Sequence, residues 1–135
     1  MENVQLLTPS KTSSWRKVAL GTWAHPSDPS VYGVLEVEVE PALAYIERLK
    51  EKTGVRITFT HFVGKALAVA IARHPQINSI IRFGRFYPRK SVDIFFQVAT
   101  DPHGNDLSGV VLRSVDKIPL ADMAKKMEEK IGIKR

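Results

Sequence analysis

Apolar and polar positions alternate strictly in "GVLEVEVE", residues 33–40. Leu35, Val37 and Val39 fall on one face and Glu36, Glu38 and Glu40 on the other, which predicts a strand with one buried face. The glutamates read as a solvated face, because neighbouring like charges repel and take water. Elsewhere the helical period dominates. "PALAYIERLKEKTG" (41–54) places Leu43, Ile46 and Leu49 on one stripe, with Pro41 suited to a first helical turn and Gly54 to its close. In "TFTHFVGKALAVAIARHP" (58–75), Phe59, Phe62, Val63, Ala66, Leu67, Ala70 and Ile71 follow the i, i+3, i+4, i+7 pattern. Gly64, Ala68 and Ala72 form a second, small-residue face open to close packing. Pro75 bars the helical region to the residue before it, so this helix stops at His74.

Three strands are expected next: "IIRFGRFYP", "VDIFFQVAT" and "LSGVVLR". The second is apolar almost throughout and belongs at the centre of a sheet. Ile94, Phe96 and Val98 point to one of its faces, Phe95, Gln97 and Ala99 to the other. "DPHGND" between the last two strands is a turn. The chain closes with a helix opened by Pro119 or Leu120 and ended by Gly132, its apolar line being Leu120, Met123, Ala124, Met127 and Ile131. Before all this, residues 1–12 read as a polar extension. "SSWRKVALGTW" reads as a short helix capped by Ser13 or Ser14, and "AHPSDPS" as a loop. The sum is one α/β domain over residues 13–135, a two-layer sandwich with a mixed or mainly antiparallel sheet.

Composition narrows the chemistry. The 135 residues suit one domain with a real core. There are no cysteines, which excludes disulfides and a cysteine nucleophile and suits a reducing cytoplasm. No apolar run reaches the roughly 18 residues of a membrane span, and the N-terminus shows no secretory signal pattern. The net charge is +6. Its basic residues gather near 82–90 and at the C-terminus, without a known motif of a nucleic-acid binder, so nucleic acid is not an expected partner. The four histidines, His25, His61, His74 and His103, have no second ligand at metal-binding spacing, and no metal is expected. His61, four before Lys65, reads as a surface or interface residue. "DPHGNDLSG" sets Asp101, His103, Asp106 and Ser108 close together, but these are what a turn uses. No phosphate-binding glycine loop and no nucleophile elbow is present.

One combination is more specific. Thr58-Phe59, Lys65-Ala66 and the Pro-x-x-Asn of Pro75 and Asn78 are followed by Val98-Ala99-Thr100-Asp101, then Gly104 and an apolar strand. Upstream stand "WRKVA" and "EVEVE". This pattern, over about residues 13–131, resembles the catalytic domain of the dihydrolipoamide acyltransferases of 2-oxo acid dehydrogenase complexes. The resemblance implies a chloramphenicol acetyltransferase-like α/β fold, with helices on one face of the sheet, and matches its N-terminal half. It implies acyl transfer between a lipoyl thioester and coenzyme A, both as substrates with nothing bound covalently, and self-association as a trimer. Arg16 and Asn78 are landmark residues. Ser30 and Tyr32 lie in the loop that would border the lipoyl entrance, and these four are the expected substrate-lining residues. The family's His-x-x-x-Asp-Gly motif follows none of the four histidines, so no catalytic residue is assigned and the chain alone is expected to be inactive. Pro29-Ser30 also stands where the family often has Pro-His. A complementary C-terminal half or another acyltransferase chain is the expected partner. The alternative is a non-catalytic assembly or binding protein on the same fold.

Overall fold

Phe96 and Gly64 set the packing of the α/β core. In the computed structural model, which describes residues 5–22, 32–99 and 107–132, helix α3 (Phe59–Arg73) lies on one face of strands β3 (Ile94–Ala99) and β4 (Leu107–Leu112). A Cβ built on Gly64 would stand 2.5 Å from Cζ of the Phe96 ring. Only glycine lets the ring approach the helix backbone this closely. Helix α4 (Leu120–Gly132) covers the same face, and Ala68, Phe96, Val110, Leu112, Val115, Met123 and Met127 form one buried cluster.

The two faces of β3 separate as the alternation predicts. Phe96 is 6 % exposed and Phe95 is 64 % exposed. β3 and β4 are antiparallel, with Phe96 opposite Val110 and Phe95 opposite Val111. On the outer face the Phe95 ring lies over Gly109, where an added Cβ would collide with it. The ring thus covers a diagonal cross-strand glycine. The turn expected at 101–106 lies outside the described residues.

Helix α2 (Glu40–Thr53) begins one residue before Pro41 and ends as expected. Gly54 takes the left-handed conformation, φ 66°, and its N–H donates to Lys50 O at 2.8 Å. Ile46 of α2, Val55, Ile57, and Leu120 and Ala124 of α4 make a second buried cluster. α4 spans its expected residues, and its expected apolar line is buried or packed against the core.

The chain divides into two compact units, one of Val39–His74 with Ser91–Arg135 and the other of Met1–Glu38 with Pro75–Lys90. The first holds the core above. The second contains helix α1 (Ser14–Thr22) and strands β1 (Ser79–Arg82) and β2 (Arg85–Pro88). Its N-terminal stretch runs along β2: Leu7 N–H donates to Pro88 O, Ser10 N–H to Phe86 O and Lys90 N–H to Gln5 O, at 3.0–3.2 Å.

Three expectations need correction. "IIRFGRFYP" is a hairpin, not one strand: Phe83 and Gly84 have φ of 49° and 67° and form the two-residue turn between β1 and β2. Two consecutive positive φ angles suit the right-handed twist of the paired strands. The expected strand at 34–39 is not formed. Val34, Leu35 and Val37 are 97 %, 84 % and 66 % exposed, because alternation makes a strand only when another strand takes its N–H and C=O groups, and no described strand pairs with it. On α3, finally, each stripe is only partly buried: Gly64 and Ala68 of the small-residue face are inside and Ala72 is exposed, while Phe62 and Ile71 of the larger stripe pack against the core and Phe59, Val63 and Leu67 are exposed.

Gly64→Ala gains up to about 1 kcal/mol of helix propensity. It also forces a methyl into a buried ring, and overpacking costs about 1–3 kcal/mol. The net outcome is a lower urea midpoint. Gly21→Ala, in a helix position with nothing within 4 Å, leaves the midpoint unchanged or higher.

Candidate functional site

The start of α3 is fixed by a reciprocal cap. Thr58 is extended (φ −106°, ψ 163°), and its Oγ1 accepts the His61 N–H at 3.4 Å. The Thr58 N–H in turn donates to His61 Nδ1 at 3.1 Å. This is the Thr-x-x-Glu capping box with histidine in the place of glutamate. Since Nδ1 accepts, the neutral ring carries its proton on Nε2. His61 is only 9 % exposed. The sequence suggested a surface or interface residue; the structure buries it, because its ring folds back on its own cap. Burial holds its pKa below the usual 6.5, Glu128 pulling it up and Arg56 pushing it down. The spacing Thr58-x-x-His61 was the available signal.

A cavity of about 390 Å³ opens beside this cap. One wall is Arg56, Thr58, Thr60 and His61. The end of β3 and one side of α4, including Met127 and Glu128, form the rest.

One turn further along α3, Lys65 reaches across to the turn after β4. Its Nζ donates to Val115 O at 2.8 Å and to Asp116 O at 2.7 Å. The same turn is held from the sheet: Ser114, at φ 52°, gives its N–H to Asp93 Oδ1 at 3.0 Å. Val115 N–H donates to Val92 O at 2.9 Å, and Arg113 pairs with Asp93 at 3.5 Å. Lys65 is thus a positioning residue, a role sequence patterning missed because its partners are carbonyls 50 and 51 residues away. On the far side of α3 a wider cleft of about 780 Å³ is mostly apolar, with Tyr45, Leu49, Phe62, Val69 and Leu120 in its lining.

Of the expected substrate-lining residues, Asn78 and Tyr32 belong to the other compact unit. Asn78 follows the 3₁₀ turn Pro75–Ile77. Its N–H donates to Pro75 O at 3.1 Å and its carbonyl accepts the Arg89 N–H at 2.8 Å, tying that turn to the end of β2. Tyr32 is 91 % exposed in the stretch before α2. Arg16 belongs to α1, and its side chain lies outside the described residues, as do Ser30 and His103.

Helices α3 and α4 on one face of an antiparallel strand pair define an α/β fold of the chloramphenicol acetyltransferase-like class. The crystal structure of a "probable dihydrolipoamide acetyltransferase" from Listeria monocytogenes superposes on it with a TM-score of 0.56 at 25 % identity, covering 69 % of this chain and 38 % of that one. Residues 17–135 match the family described as 2-oxoacid dehydrogenases acyltransferase (catalytic domain), and the chain belongs to that family. Among its curated relatives, the succinyltransferase component of the 2-oxoglutarate dehydrogenase complex of Buchnera aphidicola is 34 % identical over 70 % of this chain. The lipoamide acyltransferase component of the branched-chain alpha-keto acid dehydrogenase complex of Bacillus subtilis is 31 % identical over 72 %. The matches span only 24 % and 23 % of these relatives, about a quarter of their length.

Folded His61 binds its proton more weakly than in the unfolded chain. Its contribution to stability is therefore complete above about pH 6.5 and is lost as pH falls from there through the lower folded pKa. His61→Gln keeps a side chain able to complete the cap but does not titrate. Urea midpoints measured from pH 7.5 to 5 fall less steeply for this variant than for the native chain.

Proposed function

We propose that this chain forms part of an acyl-transfer domain that moves an acyl group between a lipoyl thioester and coenzyme A. The observation that supports this most is the family match over residues 17–135. In the reaction a general base takes the proton of the coenzyme A thiol, and the thiolate attacks the acyl carbonyl. Hydrogen-bond donors steady the tetrahedral oxyanion, which collapses to acyl-coenzyme A and a lipoyl thiolate that takes back the proton.

No histidine in these 135 residues is followed by x-x-x-Asp-Gly. On this reading the base comes from another segment or another chain, and the contribution here is the packed platform of α3, α4, β3 and β4. Arg16, Ser30, Tyr32 and Asn78 line the substrate path in the assembled domain. Assembly proceeds through self-association, as a trimer, in the cytoplasm. Two features support association: the outward apolar residues Phe59, Val63 and Leu67 of α3, and the unpaired alternating stretch at 34–39. Among the described residues no helix is long and apolar enough to cross a membrane.

The same unpaired stretch favours a second reading, a non-catalytic assembly protein that offers a strand to its partner. The two separate in an acetyl-coenzyme A and dihydrolipoamide assay. The 135-residue chain alone gives no turnover above background. Mixed with a polypeptide carrying His-x-x-x-Asp-Gly from the C-terminal half of a relative, it restores turnover, and sedimentation shows a mass above the monomer. Association without turnover supports the assembly reading. Turnover by the chain alone, abolished by His103→Ala, would overturn the assignment of the base to another segment.

A further inference from the structure

The cavity beside the α3 cap has features that neither the cap nor the core requires. His61 is nine-tenths buried, and its Nδ1 is taken by the Thr58 N–H. The Nε2–H that remains has no hydrogen-bond partner among the described residues, yet it is not sealed in: the only buried side-chain oxygen or nitrogen without a partner among them is Asp116 Oδ1. Nε2 therefore keeps access to the cavity that its ring lines. Arg56, on the same wall, makes no ion pair among the described residues. The first turn of α3 adds the partial positive charge of any helix N-terminus, although Thr58 already takes the His61 and Phe62 N–H groups. A donor with one orientation, a free guanidinium and a helix start all favour an acceptor that carries negative charge. The other walls differ in kind. Val98, Ala124, Met127 and Ile131 offer apolar surface, and about 390 Å³ is within the range of small-molecule sites.

We propose that this cavity is a binding site for a small organic carboxylate with a short apolar chain. The carboxylate accepts from His61 Nε2–H and pairs with Arg56 at the start of α3. The chain lies along Val98, Met127 and Ile131. Glu128 is the one acidic group in the lining. It opposes the bound carboxylate and limits affinity, and it disfavours ligands with a second negative charge. Binding here is separate from acyl transfer, since it requires no reacting group.

The test is an NMR titration of the full 135-residue chain with hexanoate, observed at the His61 ring and the Val98 and Met127 methyls. Hexanoate is expected to shift all three saturably and to raise the His61 pKa, because an anion beside the ring favours its charged form. Arg56→Gln weakens binding by about tenfold or more. Glu128→Gln, at an exposed position, tightens it. Hexanamide, matched in shape but neutral, binds at least about tenfold more weakly than hexanoate. The proposal is overturned if hexanoate leaves the His61 ring unshifted up to tens of millimolar, if hexanamide binds equally well, or if Glu128→Gln weakens binding. None of these readouts involves coenzyme A or lipoamide, so loss of the acyl-transfer reading would leave them unchanged.

Discussion

The close approach of the Phe96 ring to the α3 backbone at Gly64 is the contact on which the rest of the core depends. The ring fills the space a side chain would occupy. That sets the distance between helix and strand pair, with Ala68 fully buried one turn further along. With α3 seated this low, the Lys65 ammonium reaches the carbonyls of Val115 and Asp116 at 2.7–2.8 Å. A larger residue at Gly64 would lift the helix and draw the lysine away from two charge-assisted bonds. Apolar packing and the polar anchor are therefore coupled through one glycine.

The turn after β4 gathers most of the remaining polar order. Lys65 holds its carbonyls from the helix side, while Asp93 accepts from Ser114 and pairs with Arg113 from the strand side. Ser114 occupies a left-handed conformation that is costly for a residue with a side chain. Bonds from both sides compensate that cost and deliver Leu120 to the second cluster, so α4 starts in register with both α2 and α3.

Much of this was legible in the sequence, for identifiable reasons. α2 and α4 kept nearly their expected bounds because proline and glycine act locally and their apolar stripes are narrow. β3 kept its two faces because period-two alternation needs no knowledge of a partner. The failures concern contacts remote along the chain. On α3 two stripes competed, and only Phe96, 32 positions beyond Gly64, decides that Gly64 turns inward. The Phe83-Gly84 turn is not legible locally because phenylalanine rarely takes positive φ. His61 was misplaced because the helical count puts it on the polar side, while its ring bends back to complete the cap. The site residues were the least legible part. Likeness and loop position point to Tyr32 and Asn78, and neither signal says where a side chain points.

The stretch at 32–39 shows how a sequence can specify an element that it does not complete. Its alternation is as clear as that of β3, and Val39 leads directly into α2, so its C-terminal end is fixed to the core. What it lacks, among the described residues, is a neighbouring strand. A strand left open carries a row of unsatisfied N–H and C=O groups and, here, an apolar face in water. Burial of each such valine or leucine stabilises by about 1.5–3 kcal/mol, which is large beside the roughly 5–15 kcal/mol of a whole domain. Glu36 and Glu38 keep the opposite face soluble and make it repel an identical face laid directly against it. The pattern thus selects its complement: a strand that brings an apolar face to Leu35 and Val37 and leaves the glutamates in water. Relatives about four times as long as their matched segments have ample chain to supply one.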